Sequence, residues 1–178
     1  MINFIAINIF AQQTYRDALL QEVKGNVKTI TYVSMEENDN LGSIDYSTEY
    51  NFKSNGEQIR QDDKCDDKCI ERKRDQKGRI IFEKYIFDSE SRAFKYTYGS
   101  NGLISKIICT DSDGTQIDSY IYNNKGAVIK TITTKNNKII TRKNFIITAY
   151  DSKGNWIKRK SKTPENKLFE EIRSIEYW

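Results

Sequence analysis

Residues 150–159 read YDSKGNWIKR, and this stretch decides the fold because four other segments share its pattern. Aligned on glycine, the same register recurs as FKSNGEQIR at 52, RDQKGRIIF at 74, YGSNGLISK at 98 and YNNKGAVIK at 122. The aligned glycines are Gly56, Gly78, Gly102, Gly126 and Gly154. Their separations of 22, 24, 24 and 28 residues indicate an internal repeat with small insertions.

Each copy of the repeat predicts a β-hairpin. Aromatic residues stand six or four positions before the glycine in most copies, namely Tyr50, Phe52, Tyr96, Tyr98, Tyr120, Tyr122 and Tyr150. Because side chains alternate along a strand, two rings spaced by two residues share one face. Asp, Asn, Ser or Lys then lead to a glycine whose positive φ closes the turn with a bulge. Arg72, Arg74 and Thr148 are the exceptions at the aromatic positions.

A second class of turn lies near the midpoint between glycines, at DDK 66, DSES 88, DSDG 111, KNN 135 and TPEN 163. The chain therefore reverses twice per repeat, and we predict an all-β antiparallel meander of about twelve strands. An open, curled sheet is our first expectation and a closed barrel the second. The segment TYRDALLQEV at 14 is a candidate for a short N-terminal helix. The closing strand at 167–178 is expected to lie at a sheet edge.

The N-terminus MINFIAINIFAQQ indicates export. An apolar stretch from Ile2 to Phe10 is followed by Ala11 and Gln12, which is typical of a secretory signal and its cleavage point. Because no Lys or Arg precedes the stretch, two alternatives stay open: the true start lies upstream of Met1, or the stretch is a buried first strand. We expect residues 1–11 to be a signal segment, residues 12–178 to form one β-repeat domain, and the protein to be periplasmic or extracellular. No other run approaches the ~20 apolar residues of a transmembrane segment.

Charge argues against a nucleic-acid partner. The 29 basic and 25 acidic residues are interspersed, and the net charge is +4, whereas a nucleic-acid surface concentrates cations. The densest basic run is Lys158-Arg159-Lys160 with Lys162. It suggests contact with phosphate or an anionic surface, and a solvated strand is the ordinary interpretation.

The available chemistry is limited. Without histidine, Ser-His-Asp triads, Cys-His pairs and His metal centres are excluded. Adjacent carboxylates on a strand point to opposite faces, so they cannot flank one substrate. The turn with Asp111, Asp113 and Asp118 lacks the further ligands of a calcium loop. Cys65 and Cys69 are a candidate disulfide in an oxidising compartment, with free thiols as the alternative. We predict no catalytic residue, no metal and no cofactor.

The unit Tyr-x-Tyr-(Asp/Asn/Gly)-x-x-Gly-x-(Val/Ile/Trp) resembles the YD repeat of RHS-type proteins, in the degenerate form of small exported repeat proteins of Bacteroidetes. The resemblance covers roughly residues 46–178, and only Tyr150-Asp151 keeps the Tyr-Asp pair. It implies a strand-rich extracellular or envelope protein. It brings no catalytic residues, because the repeat is architectural in that family.

The aromatic stripe carries the functional expectation. Its members are Tyr50, Tyr96, Tyr98, Tyr120, Tyr122, Tyr150 and Trp156. On an exposed face such rings would stack on sugars or receive a protein partner, and on an inner face they would form the core. We expect a non-enzymatic, exported binding or scaffold protein of the cell envelope, whose ligand is a glycan or a protein. The alternatives are a soluble immunity- or inhibitor-type protein with one protein partner, and an enzyme built on Tyr and carboxylates.

Overall fold

The computed structural model describes residue 17 and residues 21–36, 43–59, 70–87, 90–162 and 168–178. Its strands are β1 (Val27–Glu36), β2 (Ser43–Phe52), β3 (Gln58–Ile59), β4 (Ile70–Arg74), β5 (Ile80–Phe87), β6 (Glu90–Tyr98), β7 (Ile104–Asp111), β8 (Gly114–Tyr122), β9 (Val128–Lys135), β10 (Lys138–Tyr150), β11 (Trp156–Lys162) and β12 (Leu168–Tyr177). The predicted all-β meander is confirmed: one antiparallel sheet of 12 strands, not closed into a barrel. The signal segment 1–11, Cys65, Cys69 and most of the helix candidate lie outside the described residues.

The sheet order is β3-β2-β1-β12-β11-β10-β9-β8-β7-β6-β5-β4, so the first strand pairs with the last. Ile172 of β12 lies opposite Val33 of β1 on one side and Lys158 of β11 on the other. The prediction that the closing strand is an edge is therefore wrong. The charges of Glu171 and Arg173 in this strand do not serve to block further strand pairing at an edge, because both side chains are buried. The edges are β3 and β4.

The five repeat glycines form one kind of turn. Their φ angles are 84°, 73°, 78°, 82° and 79°, in the left-handed region that favours glycine. In the last copy the Gly154 N–H donates to the Asp151 carbonyl at 3.1 Å, and the Asp151 N–H donates to the Asn155 carbonyl at 2.8 Å. The Asp151 carboxylate also accepts from the backbone of Lys153 and Asn155 at 2.9 Å. The Asp side chain that the repeat places in the turn thus accepts hydrogen bonds from the turn's own backbone N–H groups.

Register shifts beside these turns decide which residues are buried. The residue two positions after the glycine is buried in four copies, as Ile80, Ile104, Val128 and Trp156. The register also shifts between Ile147 and Ala149, which leaves Thr148 exposed in an irregularity while Ile147 packs against the core. This bulge explains why Thr148 departs from the aromatic rule.

The core lies beside the paired first and last strands. Its buried cluster consists of Val23, Val27, Ile30, Tyr32, Phe52, Ala127 and Trp156. β1 and β2 supply four of these residues and β11 supplies Trp156, while Val23 comes from the segment that precedes β1. The curled sheet therefore wraps its inner face around the N-terminal segment at residues 21–26.

Gly154→Ala tests the turn. A Cβ at Gly154 would meet no atom within 4 Å, so the cost is conformational only. We expect the free energy of unfolding in urea to fall by about 1 kcal/mol, and by less for Gly154→Asn, because Asn tolerates positive φ better than Ala. Ser152→Ala, at an exposed position of the same turn, is the control. Equal stability of the Gly154→Ala and Ser152→Ala proteins would contradict the assignment.

Candidate functional site

Asp17 joins the two edges of the sheet. Its carboxylate is buried and accepts hydrogen bonds from Arg74 Nη1 and Nη2 at 2.7 and 3.0 Å. It also accepts from the backbone N–H of Gln58 at 2.9 Å. Gln58 belongs to β3 and Arg74 to β4, so one side chain connects both edges. Arg74, which stands where most copies of the repeat have an aromatic residue, is therefore the partner of a buried acid.

Glu22 occupies the inner face near the core. Its backbone has φ 58°, a left-handed conformation that is unusual for a residue with a side chain. Its carboxylate accepts from Trp156 Nε1 at 2.9 Å, from Arg159 Nη1 at 3.4 Å and from the Val128 N–H at 3.4 Å. These contacts tie the segment before β1 to β9 and β11.

An ion network extends from Glu22 along the inner face. Arg159 donates through Nε to Glu171 at 2.6 Å, and Lys143 Nζ lies 3.0 Å from the same carboxylate. Burial raises the pKa of Glu171, but the charges of Arg159 and Lys143 outweigh it and hold that pKa below its ordinary value of 4.5. Each carboxylate of this network has a cation beside it, so the charges of Glu22 and Glu171 are paired inside the fold.

Arg173 anchors the N-terminal segment. Its buried guanidinium donates to the carbonyls of Trp156, Gln21 and Glu22 and to the Tyr32 hydroxyl. Burial lowers the pKa of Arg173 and raises that of Tyr32 to about 12. The guanidinium lies over the Trp156 ring at 3.9 Å, which adds a cation–π contact. All of these partners belong to the protein itself.

The predicted aromatic stripe lies on the inner face. Tyr50 and Tyr150 pack against the core cluster, and Trp156 belongs to it. Three Tyr hydroxyls donate within the protein: Tyr96 to Glu83 at 2.7 Å, Tyr98 to the Ile80 carbonyl at 2.7 Å and Tyr122 to the Ile104 carbonyl at 2.5 Å. The Tyr150 hydroxyl accepts from Asn123 Nδ2 at 2.8 Å. Burial raises the pKa of Tyr98, Tyr120 and Tyr122. The stripe is thus part of the interior and presents no flat outer platform.

The remaining predicted positions are also engaged. Asp118 accepts from Thr133 Oγ1 at 2.6 Å, and Asp111 pairs with Arg92 at 3.4 Å and accepts from the Asp113 N–H. Within the described ranges, no group of three acidic or cysteine side chains is arranged to hold a metal ion.

Cys109 and the ion pair of Glu83 with Arg72 also lie on the inner face. The Cys109 thiol is free, and burial raises its pKa. The buried Glu83 carboxylate accepts a hydrogen bond from Arg72 Nε at 2.8 Å. Arg72, the other arginine at an aromatic position of the repeat, therefore also contacts an inward acid. Together with Asp17 and Glu171, these contacts show that inward carboxylates meet donors from neighbouring strands.

The opposite face of β5–β10 has a different character. We define the outer basic face as the outward positions of these strands. Its cations are Lys84, Lys95, Lys106, Lys130 and Arg142, and its large apolar residues are Phe82, Ile86, Ile108, Ile117, Ile121, Ile132, Ile139 and Ile146. None of these five cations has a salt bridge to any residue that the structure describes.

Sequence inspection missed this face because it offers at most one cation per strand and no basic run. The run that the sequence does show behaves differently. Arg159 points inward, while Lys158 and Lys160 point outward and lie 2.9 and 3.7 Å from Glu170. The combination of repeat register and period-two alternation was the signal that could have found the face.

No protein family and no curated protein matches this chain. In the described part, no helix is long and apolar enough to span a membrane. The chemistry of the two faces of the sheet is therefore the basis for assigning a function.

Asp17→Ala tests the connection between the edges. The change leaves the Arg74 guanidinium, whose side chain is 11% exposed, without this carboxylate. We expect a loss of about 3 kcal/mol in the free energy of unfolding and faster hydrogen exchange at the Gln58 amide. In the Asp17→Ala/Arg74→Met double variant the loss should be smaller than the sum of the single losses.

The control for Asp17 is Glu57→Ala, which breaks an exposed pair with Lys53 at 3.0 Å. Such pairs contribute roughly 0–1 kcal/mol. If Asp17→Ala costs no more than Glu57→Ala, Asp17 does not hold the edges together.

Glu171→Gln tests the ion network through pH. The native pKa of Glu171 is lowered, so its ionised form stabilises the fold above pH 4.5 and that contribution is lost as pH falls through the lower native value. The variant should unfold more easily at pH 7 by roughly 2 kcal/mol, and the gap to the original protein should shrink below about pH 4.5. Urea unfolding at a series of pH values measures this gap.

Glu176→Gln is the matched control for Glu171. Glu176 is exposed and lies 3.7 Å from Lys28, so its replacement should have little effect at any pH. A gap for Glu171→Gln that stays constant down to pH 3 would contradict the role given to its charge.

Proposed function

We propose that this chain is a non-enzymatic, exported β-repeat protein that serves as a binding or scaffold module in the cell envelope, and that it binds through the outer basic face. The observation that carries the proposal is the contrast between the two sides of the sheet. The inner carboxylates accept hydrogen bonds from neighbouring side chains or from the backbone, whereas the outer cations have no salt-bridge partner among the described residues.

Exposed apolar residues accompany these cations. The exposed fractions are 70% for Ile146, 51% for Ile139, 45% for Ile121 and 42% for Ile86. Single exposed apolar residues are common on soluble proteins, but several on one face favour an interaction surface. Because the tyrosines face inward, the outer face is a better candidate for ligand contact than the aromatic stripe.

The export part of the proposal rests on the apolar N-terminus and on the resemblance of the repeat to YD repeats. Cleavage after Ala11 would leave Asp17 and Glu22 in the mature chain. The residues that anchor the N-terminal segment inside the sheet are therefore compatible with processing at that point.

A soluble immunity- or inhibitor-type protein is the second candidate. It is supported by the same exposed isoleucines, because apolar side chains surrounded by polar ones suit the surface of a single protein partner. This candidate predicts one tight protein partner, no glycan binding and a chain that keeps residues 1–11.

Photo-crosslinking in the native cells tests the proposal. A photoreactive phenylalanine replaces Ile121 on the outer face or, as the control, Lys77 in an exposed turn. We expect adducts from position 121 and none from position 77, in the envelope fraction. The intact mass of the uncrosslinked chain should correspond to a start at Gln12.

Two results would contradict separate parts of this proposal. Equal adducts at both positions, or none at either, would overturn binding through the outer basic face. A cytoplasmic chain that retains Met1 would overturn export, and with a single adduct at position 121 it would favour the second candidate.

A further inference from the structure

We infer that the outer basic face binds an acidic stretch of polypeptide that also carries apolar side chains. This inference rests on the proposed function, because it names the chemistry of the partner that this face would take. It depends on three properties of the face: its charge, the spacing of its apolar residues and its curvature.

The charge of the face is of one sign. Five of the six strands β5–β10 contribute one outward cation each, and β8 contributes none. The acids Glu83, Asp111 and Asp118 of these strands alternate onto the inner face, where they pair with Arg72, Arg92 and Thr133. No outward position of these described strands carries a carboxylate. At the border of the face Glu71 of β4 lies opposite Lys84, so an anionic partner would meet attraction mainly across β6–β10.

Apolar residues alternate with the cations. Phe82 lies opposite Lys95, and Lys95 lies opposite Ile108 on the next strand. Ile121 likewise lies opposite Lys130. Neighbouring strands are about 4.8 Å apart, so a partner that follows these rows meets a cation and an apolar side chain at every few ångströms. A partner that carries only charge would leave the isoleucines in water.

The composition disfavours two other kinds of partner, single-stranded nucleic acid and sugars. Single-stranded nucleic acid binds on aromatic platforms, and sugars stack on aromatic rings. Phe82 is the aromatic residue at the outward positions of the described β5–β10, while Tyr96, Tyr98, Tyr120 and Tyr122 face inward. Isoleucine suits the apolar side chains of a polypeptide.

Curvature disfavours a membrane. The edges β3 and β4 approach so closely that the single Asp17 side chain contacts both. A sheet of twelve strands with its edges this close is strongly curled, so its outer face is convex. A flat bilayer would touch only a few strands of a convex face, whereas a flexible acidic chain can follow the curve.

The test uses a fluorescein-labelled twelve-residue peptide of alternating Glu and Leu as the probe. We expect saturable binding in fluorescence anisotropy that weakens roughly tenfold or more between 20 and 300 mM NaCl, because exposed charges are screened by salt. The charge-reversal variant Lys95→Glu/Lys106→Glu/Lys130→Glu should weaken binding at least roughly tenfold. Ile121→Asp, a single change that keeps every lysine, should weaken it as well.

The matched control is Lys77→Glu/Lys125→Glu/Lys153→Glu. These three exposed lysines lie in the glycine turns, and their reversal changes the net charge by the same amount. Circular dichroism checks that each variant keeps the strand content of the original protein. The control variant should keep at least half of the original affinity; an equal loss in both triple variants would show that net charge alone attracts the peptide and would overturn the inference.

Parallel titrations with phosphatidylglycerol vesicles and with a dT20 oligonucleotide separate the inference from the proposed function. If the vesicles or the oligonucleotide bind and the peptide does not, the proposed class of partner is wrong. If this binding is lost in the Lys95→Glu/Lys106→Glu/Lys130→Glu variant, the outer basic face is still supported as the binding surface. If no probe binds in a way that depends on this face, the inference is overturned.

Discussion

Pairing of the first strand with the last is the interaction on which the rest of the structure depends. It brings the segment before β1 across the inner face, where Arg173 of β12 donates to the carbonyls of Gln21 and Glu22. With the segment held there, Glu22 reaches Trp156 and Arg159, and Val23 enters the core. The same arrangement turns β3 and β4 into edges, which Asp17 then connects.

Two residues that depart from the repeat pattern do so because they contact buried acids. Arg74 replaces an aromatic residue and binds Asp17, while Arg72 replaces another and binds Glu83. A buried charge is costly unless it is paired or hydrogen-bonded, and each of these two inward arginines meets a buried acid. Thr148 departs for a different reason, because a register shift takes it out of the inward series.

Segregation of charge between the two faces is hidden by the modest net charge of +4. Inward carboxylates such as Glu171 and Asp118 have donors beside them, which consumes their capacity to bind a ligand. Outward cations such as Lys95 and Lys106 remain in contact with solvent. Because a strand alternates its side chains, one repeat unit can supply both inward acids that have donors beside them and a cationic exterior.

The sequence by itself determined the local architecture. Turn chemistry at glycines such as Gly154 and alternation before them were enough to predict an antiparallel meander of about twelve strands, because both are properties of a few adjacent residues. Only the tertiary structure decided that β12 pairs with β1, that the tyrosines face inward and that the outward lysines share one face. These depend on which strands become neighbours and which way the sheet curls, and residues more than a hundred positions apart, such as Glu22 and Trp156, settle them by contact.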